Sequence, residues 1–244
     1  MAEQTHARHS GRPRKRFYFT SACVIAALIV LSFAQSYFLP LATASKSFRL
    51  LRHLHGLAFF AFTALFVWQA WLVRSRQVAR HREWGTAGAA LTGMMLALGI
   101  WLAIVAVEDR TAQGFTRPFE FALYNLVDIA LFCGIIGWSI REAFRRVDWH
   151  RRLAFAAMLN LLGPAWSRWV LQMPYGFPWL DMAPNLLADL GLVVLALHDR
   201  RKRGYIHPAT IAAAALMVPV HFIEPWVARS AWWTGLAPHL FGFS

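Results

Sequence analysis

Asp128, Asp189 and Glu224 are carboxylates set in otherwise apolar stretches, and Arg168 and His221 share the same hydrophobic context. An ionisable side chain at the bilayer centre costs from ~3 to ~15 kcal/mol, so such residues mark functional sites by default. Asp128, Arg168, Asp189 and Glu224 are accordingly the candidate catalytic set. Carboxylates within reach of an imidazole can pass protons, chemistry that belongs to a coupled transporter or a quinone-linked oxidoreductase. Three carboxylates facing one intramembrane arginine also leave surplus negative charge, to be balanced by protons, a histidinium or a metal. His55, His221 and Glu224 form the candidate metal set, with ligand types that suit zinc or non-haem iron. The His221/Glu224 spacing reverses the Glu-x-x-His pair of four-helix di-iron bundles, and no second such pair is present, which disfavours a carboxylate-bridged di-iron centre. The plainer alternative is a set of interhelical ion pairs. In it Arg168 neutralises Asp189 or Glu224, and asparagines clamp backbone freed by proline.

Residues three or four apart are neighbours on a helix surface. That spacing predicts that Asn125 with Asp128, Asn185 with Asp189, and His221 with Glu224 each point into a helical bundle together. Asn160 is expected near mid-depth and Gln35 near the outer end of the first helix. Of His53 and His55, two apart, His55 is expected inside and His53 at the interface. A second layer of histidines, His81, His150, His198 and His207, falls at the opposite helix ends. Its plain reading is interfacial, and its sharper one makes His81 and His150 an inner cofactor-binding pair.

Helices of a particular kind must carry these residues. The 244-residue chain is 58% hydrophobic and only 15% charged, with a mean hydropathy of +0.41. Its apolar residues come in blocks of the length a helix needs to cross hydrocarbon. Seven are predicted: 17–39, 55–73, 84–107, 119–140, 153–172, 184–197 and 208–227. The fold class is therefore all-α, a polytopic membrane protein. A basic tail (1–16) precedes a seven-helix domain (17–228), and a short outer tail (229–244) follows it. The first stretch, with Ala42-Thr43-Ala44 behind it, also has the outline of a signal peptide. Its length favours an uncleaved helix.

Orientation follows from charge. Eighteen of the 25 Lys and Arg residues fall in the tail and in the loops after the second, fourth and sixth stretches. The positive-inside rule then places the N-terminus in the cytoplasm and the C-terminus outside. Lys46, Arg49 and Arg52 are the local exception. Trp68, Trp71, Trp84, Trp138 and Trp149 fall at inner ends, and Trp101, Trp166, Trp169, Trp179, Trp226, Trp232 and Trp233 towards outer ends, as interfacial belts require. The net charge of +13 thus reads as loops that meet anionic headgroups, not as a nucleic-acid surface. A bacterial cytoplasmic (inner) membrane is the expected location. Cys23 and Cys133 both lie in apolar stretches and imply neither a disulfide nor a cysteine metal site.

His81-Arg82-Glu83-Trp84-Gly85 and His150-Arg151-Arg152-Leu153-Ala154 start two outward helices alike, and His207-Pro208-Ala209-Thr210 is a fainter third copy. Three parallel hairpin repeats behind the first helix are one reading. Gly85, Gly88, Ala89, Gly93 and Ala212 to Ala215 are expected to let helix backbones approach closely. Pro164, Pro219 and Pro225 are expected to kink or end their helices. With His53-Leu54-His55-Gly56, these motifs resemble a group of bacterial multi-pass membrane proteins. The resemblance covers the second to fifth helices and implies no activity. One outer pair (His55, His221) above one inner pair (His81, His150) is also similar to the two-level arrangement of cytochrome b561-type proteins. That resemblance implies b-type haem, although axial ligands belong within a bundle and not at helix ends. The functional expectation is a membrane protein with an outer His/carboxylate site, metal-binding and redox-linked or acting on a lipid-soluble substrate. The alternatives are a proton-coupled carrier and a non-catalytic scaffold subunit.

Overall fold

Proline, glycine and short polar side chains set the helix boundaries. Pro208 opens a helix behind His207, whose Nδ1 accepts from the Ala209 N–H at 3.1 Å. Proline is at home there because the N–H it lacks would have no helical partner. Ser230 caps the following helix by accepting from the Trp233 N–H at 3.2 Å. Gly204 stops the preceding helix at a φ of 80°, a left-handed conformation natural to glycine. Arg200, Arg201, Lys202 and Arg203 fill that helix's last turn, against the negative end of its dipole.

The computed structural model describes residues 16–170 and 180–243, and among them it is helical with no strand. The helices are α1 (Phe17–Ala42), α2 (Leu50–Arg74), α3 (Val78–Ala112), α4 (Glu120–Ala143), α5 (Val147–Asn160), α6 (Leu162–Val170), α7 (Ala183–Arg203), α8 (Pro208–Ala228) and α9 (Ala231–Leu240). α1 widens into a π-helical stretch, Ala34–Phe38, just before Pro40. Arg8, Arg12, Arg14 and Lys15 of the expected basic tail, the Gln172 limit of the fifth stretch, and Trp179 lie outside the described residues.

Among the described residues five helices, α1, α2, α3, α4 and α8, are long and apolar enough to cross a membrane. The other two expected stretches are built differently. The fifth is divided: α5 ends at Asn160, Leu161 is a turn, and α6 starts at Leu162, leaving pieces of 14 and 9 residues. Pro164 follows the break and has no N–H to offer the Asn160 carbonyl. The sixth lies within the 21-residue α7, which Asp189 and a charged last turn make polar. Pro219 and Pro225, by contrast, are accommodated inside a continuous α8.

α1, α2, α3, α4, α8, α7 and α6 touch in that order, and α6 closes the circuit on α1. α5 runs inside it, against α1, α4, α7 and α8. Every residue from Phe155 to Asn160 is buried, as in a helix surrounded on all sides. α2–α3, α4–α5 and α7–α8 are packed neighbours, the pairs expected as repeat units. The glycines expected to bring helices together do not all do so. Space around Gly85 and Gly93 is open, and Gly88 only approaches Leu65. The tight positions are Gly163 and Gly191, where a Cβ would overlap Asn185 and Leu159.

The two ends of the bundle are distinct. At one, Phe17 stacks on His198 at 3.7 Å, Arg74 lies over Phe19 at 4.7 Å, and Arg203 meets Asp148 at 2.5 Å. These contacts join the start of α1, the end of α2, the start of α5 and the end of α7 at a basic end. At the other, Arg49 and Arg52 meet Asp109 at 2.9 and 3.2 Å. Arg229 there binds Glu120 at 2.5 Å and also Asp181. Two of the three exceptional cations, Arg49 and Arg52, are thus matched by an acid from α3.

Candidate functional site

Buried polar residues converge where α5 ends. Asn160, its last residue, donates from Nδ2 to the Asp128 backbone carbonyl of α4 at 2.9 Å. On its other side Asn160 Oδ1 lies 3.1 Å from His221 Nε2 of α8, and His221 Nδ1 lies 2.9 Å from Asp189 Oδ2 of α7. Asn185, one turn before Asp189, places Nδ2 2.5 Å from Glu224 Oε1 and 3.4 Å from Asp128 Oδ1. Four helices therefore contribute to one connected chain of contacts: Asp189, His221, Asn160, Asp128, Asn185 and Glu224.

Hydrogen-bond directions fix part of its proton inventory. A backbone carbonyl only accepts, so Asn160 must turn its NH2 to Asp128 and its Oδ1 to His221. His221 Nε2 therefore carries a proton. The Nδ1 to Asp189 Oδ2 contact needs one more, held on the imidazole or on the acid. The Asn185 NH2 supplies the hydrogens for both Glu224 and Asp128, with its Oδ1 seated against Gly163. Asp189 Oδ1 and Glu224 Oε2 are buried and meet no hydrogen-bonding partner among the described residues. Such atoms are costly in a low-dielectric interior and are typical of sites that bind or exchange something.

The spacing argument holds for Asn185 with Asp189 and for His221 with Glu224. It fails for Asn125, whose Nδ2 donates to the Phe121 carbonyl of its own helix at 2.9 Å. Arg168 is also elsewhere. Its guanidinium lies 3.6 Å over the Phe33 ring and donates to the Pro164 carbonyl, so the expected neutralisation of Asp189 or Glu224 by Arg168 is not what is seen. His55 lies within electrostatic reach of Arg168, with a buried Nδ1 that meets no hydrogen-bond partner among the described residues. His53 has its Nδ1 2.6 Å from the Tyr37 hydroxyl, and Gln35 is exposed.

The metal set needs correction. Among the described residues no three His, Cys, Asp or Glu side chains converge as metal ligands. His221 has both ring nitrogens engaged by Asp189 and Asn160, which leaves no lone pair for a metal shared with His55 and Glu224. His81 and His150 do meet, edge to face, with ring centroids 6.0 Å apart. His150 Nδ1 lies 2.9 Å from the Ser139 carbonyl, and the Ser139 hydroxyl donates to the His150 carbonyl at 2.9 Å.

One cluster has no counterpart among the sequence expectations. Arg152 and Asp199, 1% and 0% exposed, form a two-pronged ion pair at the basic end. Asp199 also accepts from Thr210 Oγ1 at 2.6 Å and from the His207 N–H at 3.3 Å, and Arg152 donates to the Asp148 carbonyl at 2.8 Å. Arg152, Thr210 and the His207 N–H between them meet both carboxylate oxygens of Asp199. The cluster ties α5, α7 and α8 together at one end, as the His221 network does towards the other.

Comparison with family models, with curated proteins and with solved structures gives no match.

Proposed function

We propose that the chain crosses a bacterial cytoplasmic membrane seven times with its N-terminus inside, and that the His221 network takes up and releases protons in the service of a lipid-soluble substrate. The fifth crossing is the broken α5–α6 pair, sheathed by its neighbours, and the sixth is α7. The excess of Lys and Arg at one end supports the orientation.

One observation carries the proton-handling role: a continuous polar chain from Asp189 to Glu224 whose two terminal carboxylates each keep an oxygen that meets no partner among the described residues. A carboxylate that served only to pair helices is expected to have both oxygens met. Ala188, Leu192, Leu195, Ala213 and Met217 are all buried and fill the space between this network and the Arg152 cluster. That apolar layer favours chemistry confined to one half of the membrane over passage from face to face.

Infrared difference spectroscopy of the full chain in lipid nanodiscs, stepped between pH ~5 and ~8 across the imidazole range, tests this reading. Expected is a carboxylic-acid carbonyl band that changes with pH, shifts in D2O, and alters in Asp189→Asn and Asp128→Asn. A spectrum with no titrating carboxyl band, or one identical in both variants, overturns it.

A further inference from the structure

Glu224 faces two ways. Its Oε1 is held by Asn185 at 2.5 Å inside the network, while the residue also lines a cavity of about 200 Å³ between α4 and α8. The remaining walls are wholly apolar: Leu123 and Val127 on α4, and Pro219, Val220 and Ile223 among those on α8. Glu224 is only 3% exposed, and its Oε2 meets no hydrogen-bond partner among the described residues.

We infer that this crevice is the binding site for the head of a lipid-soluble hydroxyl compound, which reaches Glu224 sideways from the bilayer and donates its O–H to Oε2. Three features specify the ligand. Ile223 at the crevice and its neighbours Phe222 and Trp226 are 52%, 53% and 67% exposed, all apolar surface. A ligand approaching past them comes from hydrocarbon, not from water. The volume suits a single ring, since a dry apolar cavity of ~150 Å³ accepts benzene, and leaves any longer tail in the lipid. The one Glu224 oxygen that meets no partner among the described residues selects one donor. Pro219 is part of the crevice wall. Its ring stands where an ordinary helix would present an N–H, and it removes the partner of the Ala215 carbonyl.

The inference rests on the proton-handling reading of the network, because a bound hydroxyl at Glu224 would be the group whose proton the network receives. It is tested separately, by equilibrium binding of radiolabelled 4-octylphenol and of its methyl ether 4-octylanisole to the full chain in nanodiscs, against empty nanodiscs. The two probes share a ring and tail and differ in the hydroxyl hydrogen. Binding of the phenol about tenfold or more tighter than the ether is expected for one hydrogen bond to a charged or strongly polar acceptor. V220W and V127W fill the crevice from opposite walls while leaving every residue of the hydrogen-bonded chain unsubstituted, and each should abolish saturable phenol binding. Equal binding of both probes, or phenol binding unchanged in a folded V220W or V127W protein, overturns the inference, the latter marking simple partition into lipid. The wild-type comparison alone decides the hydroxyl question if neither variant folds. A titrating carboxyl band with no phenol preference leaves the proton-handling reading standing and removes this one; phenol preference without a titrating band does the reverse.

Discussion

Asn185 seats its amide against the bare backbone of Gly163, its Oδ1 occupying the volume that a side chain at position 163 would claim. The contact sets the angle at which the same amide meets Glu224 and Asp128. Gly163→Ala should therefore swing Asn185 away and loosen the link between the two acids. The overpacking is expected to cost about 1–3 kcal/mol, read as a lowered Tm in detergent. In the infrared experiment the carboxyl bands of Asp128 and Glu224 should move while the imidazole bands of His221 stay. A variant with wild-type Tm and spectrum would show that Asn185 is not held by this contact.

Arg152 and Asp199 are a buried ion pair, and removing one partner leaves the other charged in an apolar interior. Arg152→Ala should destabilise the bundle by about 3–5 kcal/mol. The double substitution Arg152→Met with Asp199→Leu should recover most of that, since two apolar side chains leave no orphan charge. Thermal unfolding of the three proteins checks both statements. A double variant as unstable as the single one would mean that Thr210 and the His207 N–H depend on Asp199 more than on packing.

His207 supplies a prediction about pH. Burial, then the nearby Arg152 and Arg203, holds its imidazole below the ordinary value of 6.5. Its Nδ1 must also stay unprotonated to accept from the Ala209 N–H. A group with a depressed histidine value favours the folded state while neutral. As pH falls through 6.5 the unfolded chain takes up the proton first, and stability declines. Tm should drop between pH ~7 and ~5 in the wild type. The drop should be smaller in His207→Asn, which caps the helix at every pH. An identical decline in both proteins would assign the effect to another histidine.

The proposed seven crossings make a distinct prediction about sidedness. Alkaline phosphatase fused after Gln113, Asp181 or Arg229 should be active, and green fluorescent protein fused after Arg76, Arg145 or Gly204 should fluoresce. Fluorescence after Asp181 would mean that α5 and α6 fail to cross and that only the five long apolar helices do.

The sequence makes the network's members visible because a carboxylate or imidazole inside an apolar run is too costly to keep without a partner or a task. Helical geometry of 3.6 residues per turn then puts Asn185 beside Asp189 and His221 beside Glu224. Asn125 has the same kind of spacing from Asp128, but a short amide can reach its own helix's carbonyl, and periodicity carries no sign of that choice. Arg168 stands one turn from Pro164, so a carbonyl of its own helix competes with the distant acids. Arg152 and Asp199 are hidden by their neighbours in sequence. Each sits in a basic run that reads as a solvated helix end, and only the packing of α5 inside the ring reveals that the last turn of α7 is interior. The glycine-rich start of α3 looks like a packing face, yet a stripe of small residues brings helices together only where a neighbour is pressed against it, as at Gly163 and Gly191.

The central place of α5 has a consequence for biosynthesis. Arg152 and Asn160 are buried polar side chains whose partners lie largely on other helices, and α5 released singly into lipid would hold them without those partners. Their partners sit on α4, α7 and α8, and the last of these, carrying Thr210, His221 and Glu224, leaves the ribosome after α5. The middle of the bundle must therefore wait, shielded by α4 or by the translocon, until the eighth helix arrives to complete both polar clusters. A nascent chain that stalls before Pro208 would expose Asp189 without His221 and leave Asp199 with Arg152 but without Thr210, giving quality-control proteases a way to tell an unfinished molecule from a finished one.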